Sequence, residues 1–346
     1  MSEWEKTLEE YSRTIENRLS SFLKDEVEDA TAYHVFVGRL HRDLNDYVFR
    51  AGKRMASCST LLAYKGFTDE IDDRILNVCV GIELYRHAIL VHDDLVDDDE
   101  LRRGAETIHK MYSQEQNVRL GNGLAVFAGN ILYTLALKAL SGSGFELDKT
   151  VKVLNLVNDA FQSVNESQIL DLLFEYKTPN VDEWYIMASK RAASLFKASL
   201  SIGAVLADAS EKDVQLLGEA AEHIGYCFDI QDDIIDTFAS EEQYGRKPGG
   251  DLSKHKKPLH IVFTYQMADQ SQLETFENAI GESPLDLNTI RKTISDCGAL
   301  EAAKNRSRKH ADSARRLISE TAMNDELKNF FISFIGYVKD SLNWYK

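Results

Sequence analysis

Between Asp93 and Glu100 the chain places five aspartates and a glutamate in eight consecutive residues, and Arg102, Arg103 and Gly104 follow directly. If the apolar lead at Leu90 and Val91 is helical, Asp93 and Asp97 share one face a turn apart, with Asp94 rotated from Asp93 by about 100°. Two carboxylates so placed offer oxygen to a hard cation, and Mg2+ takes one or two carboxylates while keeping room for water and substrate phosphate. Asp93, Asp94 and Asp97 are therefore candidate metal ligands. Arg102 and Arg103 bring planar forks suited to phosphate oxygens. A lone acidic run is usually a solvated helix end, but this one has a counterpart. Phe228–Asp236, FDIQDDIID, repeats the spacing as Asp232, Asp233 and Asp236 behind the apolar Ile224, Tyr226, Cys227 and Phe228.

The elements that must position these groups read as helices. Trp4, Leu8, Tyr11, Ile15, Leu19 and Phe22 recur at steps of three and four, which predicts a first amphipathic helix. A second is expected over 31–50, ending where Gly52 breaks the chain and presents Lys53 and Arg54 to a phosphate. Residues 75–97 read as a long helix that ends in the first motif. Residues 121–140 are apolar nearly all round, which predicts a central buried helix. Another helix, 151–174, carries Glu166, Gln168 and Asp171 at its far end, and Gln168 in an apolar helix calls for a polar partner. A helix opened by Asp182 and Glu183 is expected to continue through to Ala207, and one over 219–236 ends in the second motif. The Gly-rich, basic stretch 244–257 reads as a loop, and further helices are expected through 290, 299–318 and 327–344. No internal repeat other than the acidic motif is present, and no linker asks for a domain boundary.

With 346 residues, 44% hydrophobic content and four prolines, the chain has material for a large, mainly α core. The net charge of -16 disfavours nucleic acid and anionic membrane surfaces as partners. Cys58, Cys79, Cys227 and Cys297 show no CxxC or zinc-like spacing and read as thiols of a reducing compartment. The start, MSEWEKTLEE, resembles neither a secretory signal nor a transit peptide. With no apolar run near ~20 residues, the expectation is a cytoplasmic protein without stable membrane insertion.

DDLVDDDELRRG, FDIQDDIID, the GKR of residues 52–54, ESQILDL around Gln168 and the GGD…K run with Asp251 and Lys256 together resemble the all-trans isoprenyl diphosphate synthase family. The resemblance is strong over about 47–257, with no insertion between Asp97 and Arg102. It implies an all-α fold, an isoprenoid synthase-type bundle of long helices around a central cavity, as a single domain over 1–346 and as a homodimer. It also implies a Mg2+-dependent prenyltransferase that condenses isopentenyl diphosphate with an allylic diphosphate and releases diphosphate. On that resemblance Asp93 and Asp97, with Asp94 beside them, and Asp232 and Asp236 hold three Mg2+. Arg102 and Lys256 stabilise the leaving diphosphate, and Arg191 belongs to the catalytic set. Lys53, Arg54, Arg86 and Arg103 bind isopentenyl diphosphate, with Gln168, Lys190 and Asp233 completing the substrate site. The residues four and five before the first Asp, Ile89 and Ala88, set product length; Ala88 is small, so the gate is open, and Tyr85 narrows the path deeper down. C20 to C25 products, or longer, are expected.

Several positions depart from the family pattern. Ala56 stands where a second basic residue is usual, and Arg86 where His or Gln contacts isopentenyl diphosphate, which reads as a swap that leaves His87 to pack. Arg191 and Ala192 fall on the Lys and Thr of KTxxL, with Lys190 next door. Asp229 replaces a Gln, Pro258 a Thr and Asn130 an Asp. These changes spare the carboxylates and fall around the acceptor and the reacting centre. They leave open a diverged relative, a cyclase or a transferase to another acceptor, and a non-catalytic regulatory subunit of a prenyl synthase. A metal-storing helical bundle would need Glu-x-x-His pairs, whereas Glu219 and His223 are four apart.

Overall fold

Helices supply nearly all the regular structure in the computed structural model, which describes residues 3–50, 52–113, 117–244, 247–282 and 284–344. Ala51 of the basic junction and residues 245–246 of the expected loop lie outside the described residues. The chain divides into two compact units, Met1–Val157 with Ser199–Ala209, and Asn158–Ala198 with Ser210–Lys346.

The first unit contains α1 (Glu3–Tyr33), α2 (Val35–Phe49), α3 (Met55–Lys65), α4 (Asp73–Val96), the strands β1 (Leu101–Arg102) and β2 (Ala105–Glu106), α5 (Ile108–Tyr112), α6 (Val118–Ser141) and the start of α7 (Leu147–Tyr176). α1 is eleven residues longer than its sequence periodicity suggested, because no Gly or Pro stops it before His34. That residue turns the chain by accepting the Phe36 N–H on Nδ1 as the cap of α2. α4 is the central helix of this unit. Asp72 caps it by accepting from the backbone of Arg74 and Ile75, and from Val78 to Tyr85 every residue is buried. The sequence had given that role to α6. α6 does pack along α4 through Ala125, Ala128, Leu132 and Ala136, but its other face presents Val118, Leu120, Val126 and Phe127 to solvent. α4 and α6 are both long and apolar enough to cross a membrane by length and composition, contrary to the reading that no apolar run reaches that length; most of the apolar stretch of α4 is buried inside the protein.

The second unit contains the rest of α7, α8 (Val181–Ala188), the start of α9 (Ala192–Leu206), α10 (Glu211–Phe238), α11 (Glu241–Tyr244), α12 (Gly250–Ser253), α13 (Leu259–Met267), α14 (Gln270–Gly281), α15 (Leu287–Asp296), α16 (Ala299–Glu320) and α17 (Asp325–Val338), followed by a 3-10 turn at Ser341–Asn343. Its core gathers Trp184, Ile230, Ile234, Leu259, Val262, Phe276, Ile290 and Ile294. α10 lies along α16, where the Tyr226 and His310 rings stack at 4.7 Å.

The continuous helix expected from Asp182 to Ala207 is broken. A capping box between Asn180 and Glu183 starts α8, and residues 189–191 form a turn before α9. The first residues of α9, which follow that turn, sit against α10 because Gly225 has no side chain. A Cβ there would lie 2.4 Å from the Ala193 Cα and 2.6 Å from its backbone nitrogen. Gly225→Ala must push two backbones apart, and overpacking of this kind costs about 1–3 kcal/mol. The expected result is a lower denaturant midpoint at unchanged m-value; an unchanged midpoint would mean that this approach is not tight.

Candidate active site

In the first unit the acidic motif closes α4 at its C-terminal end, where the helix dipole disfavours anions and where the last turn carries no basic residue. The three motif carboxylates are treated differently. Asp94 is buried, 1% exposed, with both oxygens engaged: the Tyr47 hydroxyl donates to Oδ2 at 2.5 Å and Arg102 Nε to Oδ1 at 2.6 Å. Burial pushes its carboxyl above the usual range, and Arg102 and Tyr47 offset only part of that. Asp93 and Asp97 are half-buried, and Asp97 caps the helix, donating its N–H to the Asp93 carbonyl at 2.8 Å. Asp94, expected as a metal ligand, is thus an internal anchor.

Arg102 and Arg103 emerge from a hairpin the sequence reading did not include. Arg102 pairs with Ala105 across the strands, and Arg103 and Gly104 form its tip with φ of 53° and 80°, the pattern of a type I′ turn. Arg50 holds the hairpin from α2, donating through Nη1 to the carbonyls of Arg102, Ala105 and Glu106. Beyond its bond to Asp94, Arg102 reaches Asp93 at 3.3 Å and Asp99 at 3.5 Å through Nη2. Burial lowers its pKa, but Asp94 and Asp93 outweigh that and hold it above the ordinary arginine value.

Arg103 donates to the Arg50 carbonyl at 3.0 Å, and its guanidinium occupies the space beside Gly52, where a Cβ would lie 2.7 Å from Cζ. Burial, then the charges of Arg54 and Arg86, bring its pKa down to about 10. Arg86 is half-buried, and among the described residues no hydrogen bond or ion pair engages it. Lys53 extends over the Trp4 ring at 5.9 Å; burial lowers its pKa and nearby Glu5 raises it. Arg54, expected to bind substrate, does not face outward. It is buried in the left-handed region at φ 48°, bonded to Glu83 at 2.9 Å, to Glu16 at 2.9 Å and to the Val48 carbonyl at 2.7 Å. Ser57 satisfies the other Glu83 oxygen at 2.7 Å. Arg54 is a structural cation. The residues expected to set product length, Tyr85, Ala88 and Ile89, line the buried part of α4, and the Tyr85 ring lies 6.4 Å from that of Tyr133 on α6.

In the second unit α10 ends in Asp232, Asp233 and Asp236. Asp232 is exposed, whereas Asp233 and Asp236 are buried. Asp236 Oδ2 accepts the Asp251 N–H at 3.2 Å and its carbonyl accepts that of Gly249 at 2.8 Å, which ties the Gly-rich loop to the motif. Asp233 meets Arg191, whose guanidinium also bonds Asp229 and Asp171. Lys256, from the loop, lies 3.3 Å from the other Asp171 oxygen. Burial raises the pKa of Asp229 and of Asp233; Arg191 opposes it in both. Lys190, one residue away and expected in the substrate site, is exposed, pairs with Glu166 and lies outside this cluster. Gln168 is half-buried on α7.

The donor set suits a hard divalent ion. Among the described residues no three His, Cys, Asp or Glu side chains form a ready cage for one ion. What each motif offers is carboxylate oxygen alone, the set a cation takes when substrate phosphate and water complete its shell. Tyr47, Arg50, Glu83 and Asp171 were not among the sequence candidates. Only Asp171 had a signal, a carboxylate at the end of an apolar helix; the others emerge from packing between elements far apart in sequence.

Residues 39–297 match the family model described as polyprenyl synthetase. The chain is 30% identical over 256 residues to a short chain isoprenyl diphosphate synthase of Methanocaldococcus jannaschii, covering 74% of this chain and 75% of that protein. It is 29% identical over 296 residues to a geranylfarnesyl diphosphate synthase of Aeropyrum pernix, covering 82% and 89%. The structure superposes with a TM-score of 0.89, at 20% identity and over 98% of this chain and 100% of the other, on a geranylgeranyl pyrophosphate synthase from Corynebacterium glutamicum complexed with isoprenyl diphosphate and magnesium. The fold is therefore the all-α isoprenoid synthase fold.

Burial lowers the pKa of the buried His87 and His260 and of the half-buried His310. Burial alone brings His260 down to about 3; it also brings His87 and His310 down to about 4, the pull of Glu83 on His87 being too weak to prevent it. Folded pKa values below the ordinary 6.5 mean that these groups contribute stability in full above pH 6.5 and lose it as pH falls toward 4. His87→Gln should therefore flatten the fall of unfolding free energy over that range by at most about 3 kcal/mol. Denaturant titrations at several pH values check it, and curves parallel to wild type would remove His87 from the account.

Proposed function

The chain belongs to the polyprenyl synthetase family, and from that premise we propose that it is a prenyltransferase that condenses isopentenyl diphosphate with an allylic diphosphate. The product is an all-trans polyprenyl diphosphate of C20 to C25, with diphosphate released. The observation that carries this reading is a pattern repeated in both motifs. The second Asp is buried and clamped by an arginine, Asp94 by Arg102 and Asp233 by Arg191. The first is more open: Asp93 is half-buried and touched by Arg102 at 3.3 Å, and Asp232 is exposed. A buried anchor holds the more open carboxylate beside it in place.

In this reading Asp93, Asp97, Asp232 and Asp236 would hold Mg2+, three ions in all. Bound there, Mg2+ supplies charge neutralisation for a diphosphate leaving group. The reaction breaks the allylic C–O bond, whose electron pair leaves with diphosphate. The isopentenyl double bond then forms the new C–C bond, and a proton lost from the adjacent carbon restores the alkene. No protein nucleophile is needed. Arg102 keeps Asp94 through its 2.6 Å bond, while its longer reaches to Asp93 and Asp99 are the ones that can be exchanged for phosphate oxygen. Lys256 is proposed to stabilise the same leaving group. Lys53, Arg86 and Arg103 are proposed to bind isopentenyl diphosphate, with Arg86 supplying the charge that Ala56 lacks. Arg54 is withdrawn from that set. Gln168 is retained as a residue of the allylic site.

Ala88 and Ile89, with Tyr85 two turns before Asp93, are proposed to limit product length. The exposed apolar face of α6 supports a homodimer, since unburied apolar patches mark protein contacts. Action in the cytoplasm is part of the same proposal.

Purified protein with Mg2+, isopentenyl diphosphate and C5 to C20 allylic diphosphates should give a ladder ending at C20 to C25 by mass spectrometry. Consumption of the allylic diphosphate without isopentenyl incorporation would favour a diverged transferase or cyclase instead, and no consumption a regulatory subunit. Asp93→Ala should lower kcat by about 10²-fold or more, as expected when a group stabilising leaving-group charge is lost; activity retained with Mg2+ would remove the metal role. Ala88→Phe should shorten the product toward C15, and an unchanged length would sink the assignment of that position.

A further inference from the structure

Two departures from the family pattern, Arg191 and Asp229, prove to be each other's partner. Arg191 Nε and Nη2 donate to Asp229 Oδ2 at 3.0 and 2.6 Å. Nη2 also reaches Asp233 at 3.3 Å, and Nη1 reaches Asp171 at 3.3 Å. All three guanidinium nitrogens therefore point at carboxylates. The contacts come from separate elements, α10 for Asp229 and Asp233, α7 for Asp171 and the 189–191 turn for Arg191. Gly225, one turn before Asp229, allows the backbone that follows Arg191 to approach this close.

Asp171 passes the arrangement on. One of its oxygens takes Arg191 and the other lies 3.3 Å from the Lys256 ammonium. Three carboxylates, all at most 11% exposed at the side chain, share two cations. Removing the guanidinium would leave three close carboxylates with Lys256 alone, and uncompensated buried charge is costly.

We propose that Arg191 is a positioning residue that does not bind the substrate diphosphate, and that it works as one unit with Asp229. By spanning Asp229, Asp233 and Asp171 it sets the end of α10 beside the accessible Asp232 and orients Lys256 through Asp171. The proposal rests on the prenyl-transfer reading for its kinetic consequences, and its structural half stands apart from that reading.

The test is a cycle of Arg191→Gln, Asp229→Asn and the double variant, with kcat and the KM for geranyl diphosphate measured at saturating Mg2+, alongside thermal unfolding. Arg191→Gln should lower kcat by about 10- to 100-fold, the usual loss when a residue supporting a metal site is removed, with KM close to wild type. The double variant should regain much of that kcat and unfold at a higher temperature than Arg191→Gln, because one of the carboxylates left behind is neutral. A KM that rises as much as kcat falls would make Arg191 a direct phosphate ligand and overturn the proposal. A double variant no better than Arg191→Gln would overturn the pairing with Asp229. If Arg191→Gln does not fold, Arg191→Lys with and without Asp229→Asn gives the same comparison. A wild-type protein that turns over no allylic diphosphate would defeat the prenyl-transfer reading, and the unfolding cycle alone would then decide the pair.

Discussion

Like-charged carboxylates gathered at the negative end of a helix are the constraint around which each unit is built. α4 and α10 both end this way, with no basic residue in the last turn to relieve it. Each unit answers with an arginine brought from outside the helix. Arg102 comes from the first strand of the hairpin and Arg191 from the turn between α8 and α9. Each arginine reaches the buried second Asp of its motif, Arg102 as its shortest bond and Arg191 beside its shorter bonds to Asp229. The cation thus fixes geometry, holding the buried carboxylate beside a more open one.

Supplying those arginines needs precise backbone, and the surrounding structure provides it. In the first unit Arg50 binds three hairpin carbonyls and Tyr47, one turn earlier on α2, binds Asp94. One short helix therefore fixes both ends of the Arg102–Asp94 bond. In the second unit Gly225 lets the start of α9, directly after the 189–191 turn, approach α10. The two solutions share no sequence, which fits a duplicated motif whose supports differ.

Helical content and the carboxylate spacing were legible in the sequence because both rest on local periodicity: the i, i+4 arrangement of Asp93 with Asp97 and Asp232 with Asp236 needs only a helix. The break at 189–191 was not legible, since SKRAAS contains no Gly or Pro and Arg and Ala are good helix formers. Tertiary packing against Gly225 overrides that propensity. The hairpin was hidden for a similar reason, its two-residue strands being too short to show alternation. α6 was misread because a helix apolar all round can be covered by its own chain or leave a face open, and composition does not distinguish the two.

Charge alone also failed to assign roles among the basic residues of the GKR segment. Lys53 and Arg54 are adjacent and look equivalent, yet the left-handed backbone at Arg54 turns its side chain inward to Glu83 and Glu16. A buried carboxylate on α4 demanded a cation, and of the two residues only an arginine could serve it while also bonding Glu16 and the Val48 carbonyl. With Arg54 so engaged, Lys53, Arg103 and the half-buried Arg86 are the cations that the proposed reading would leave for an anionic acceptor. The replacement of a basic residue by Ala56 then removes charge from one side of this group, while Arg86 adds it from the neighbouring helix. An acceptor diphosphate would meet a similar total charge, presented by a different element.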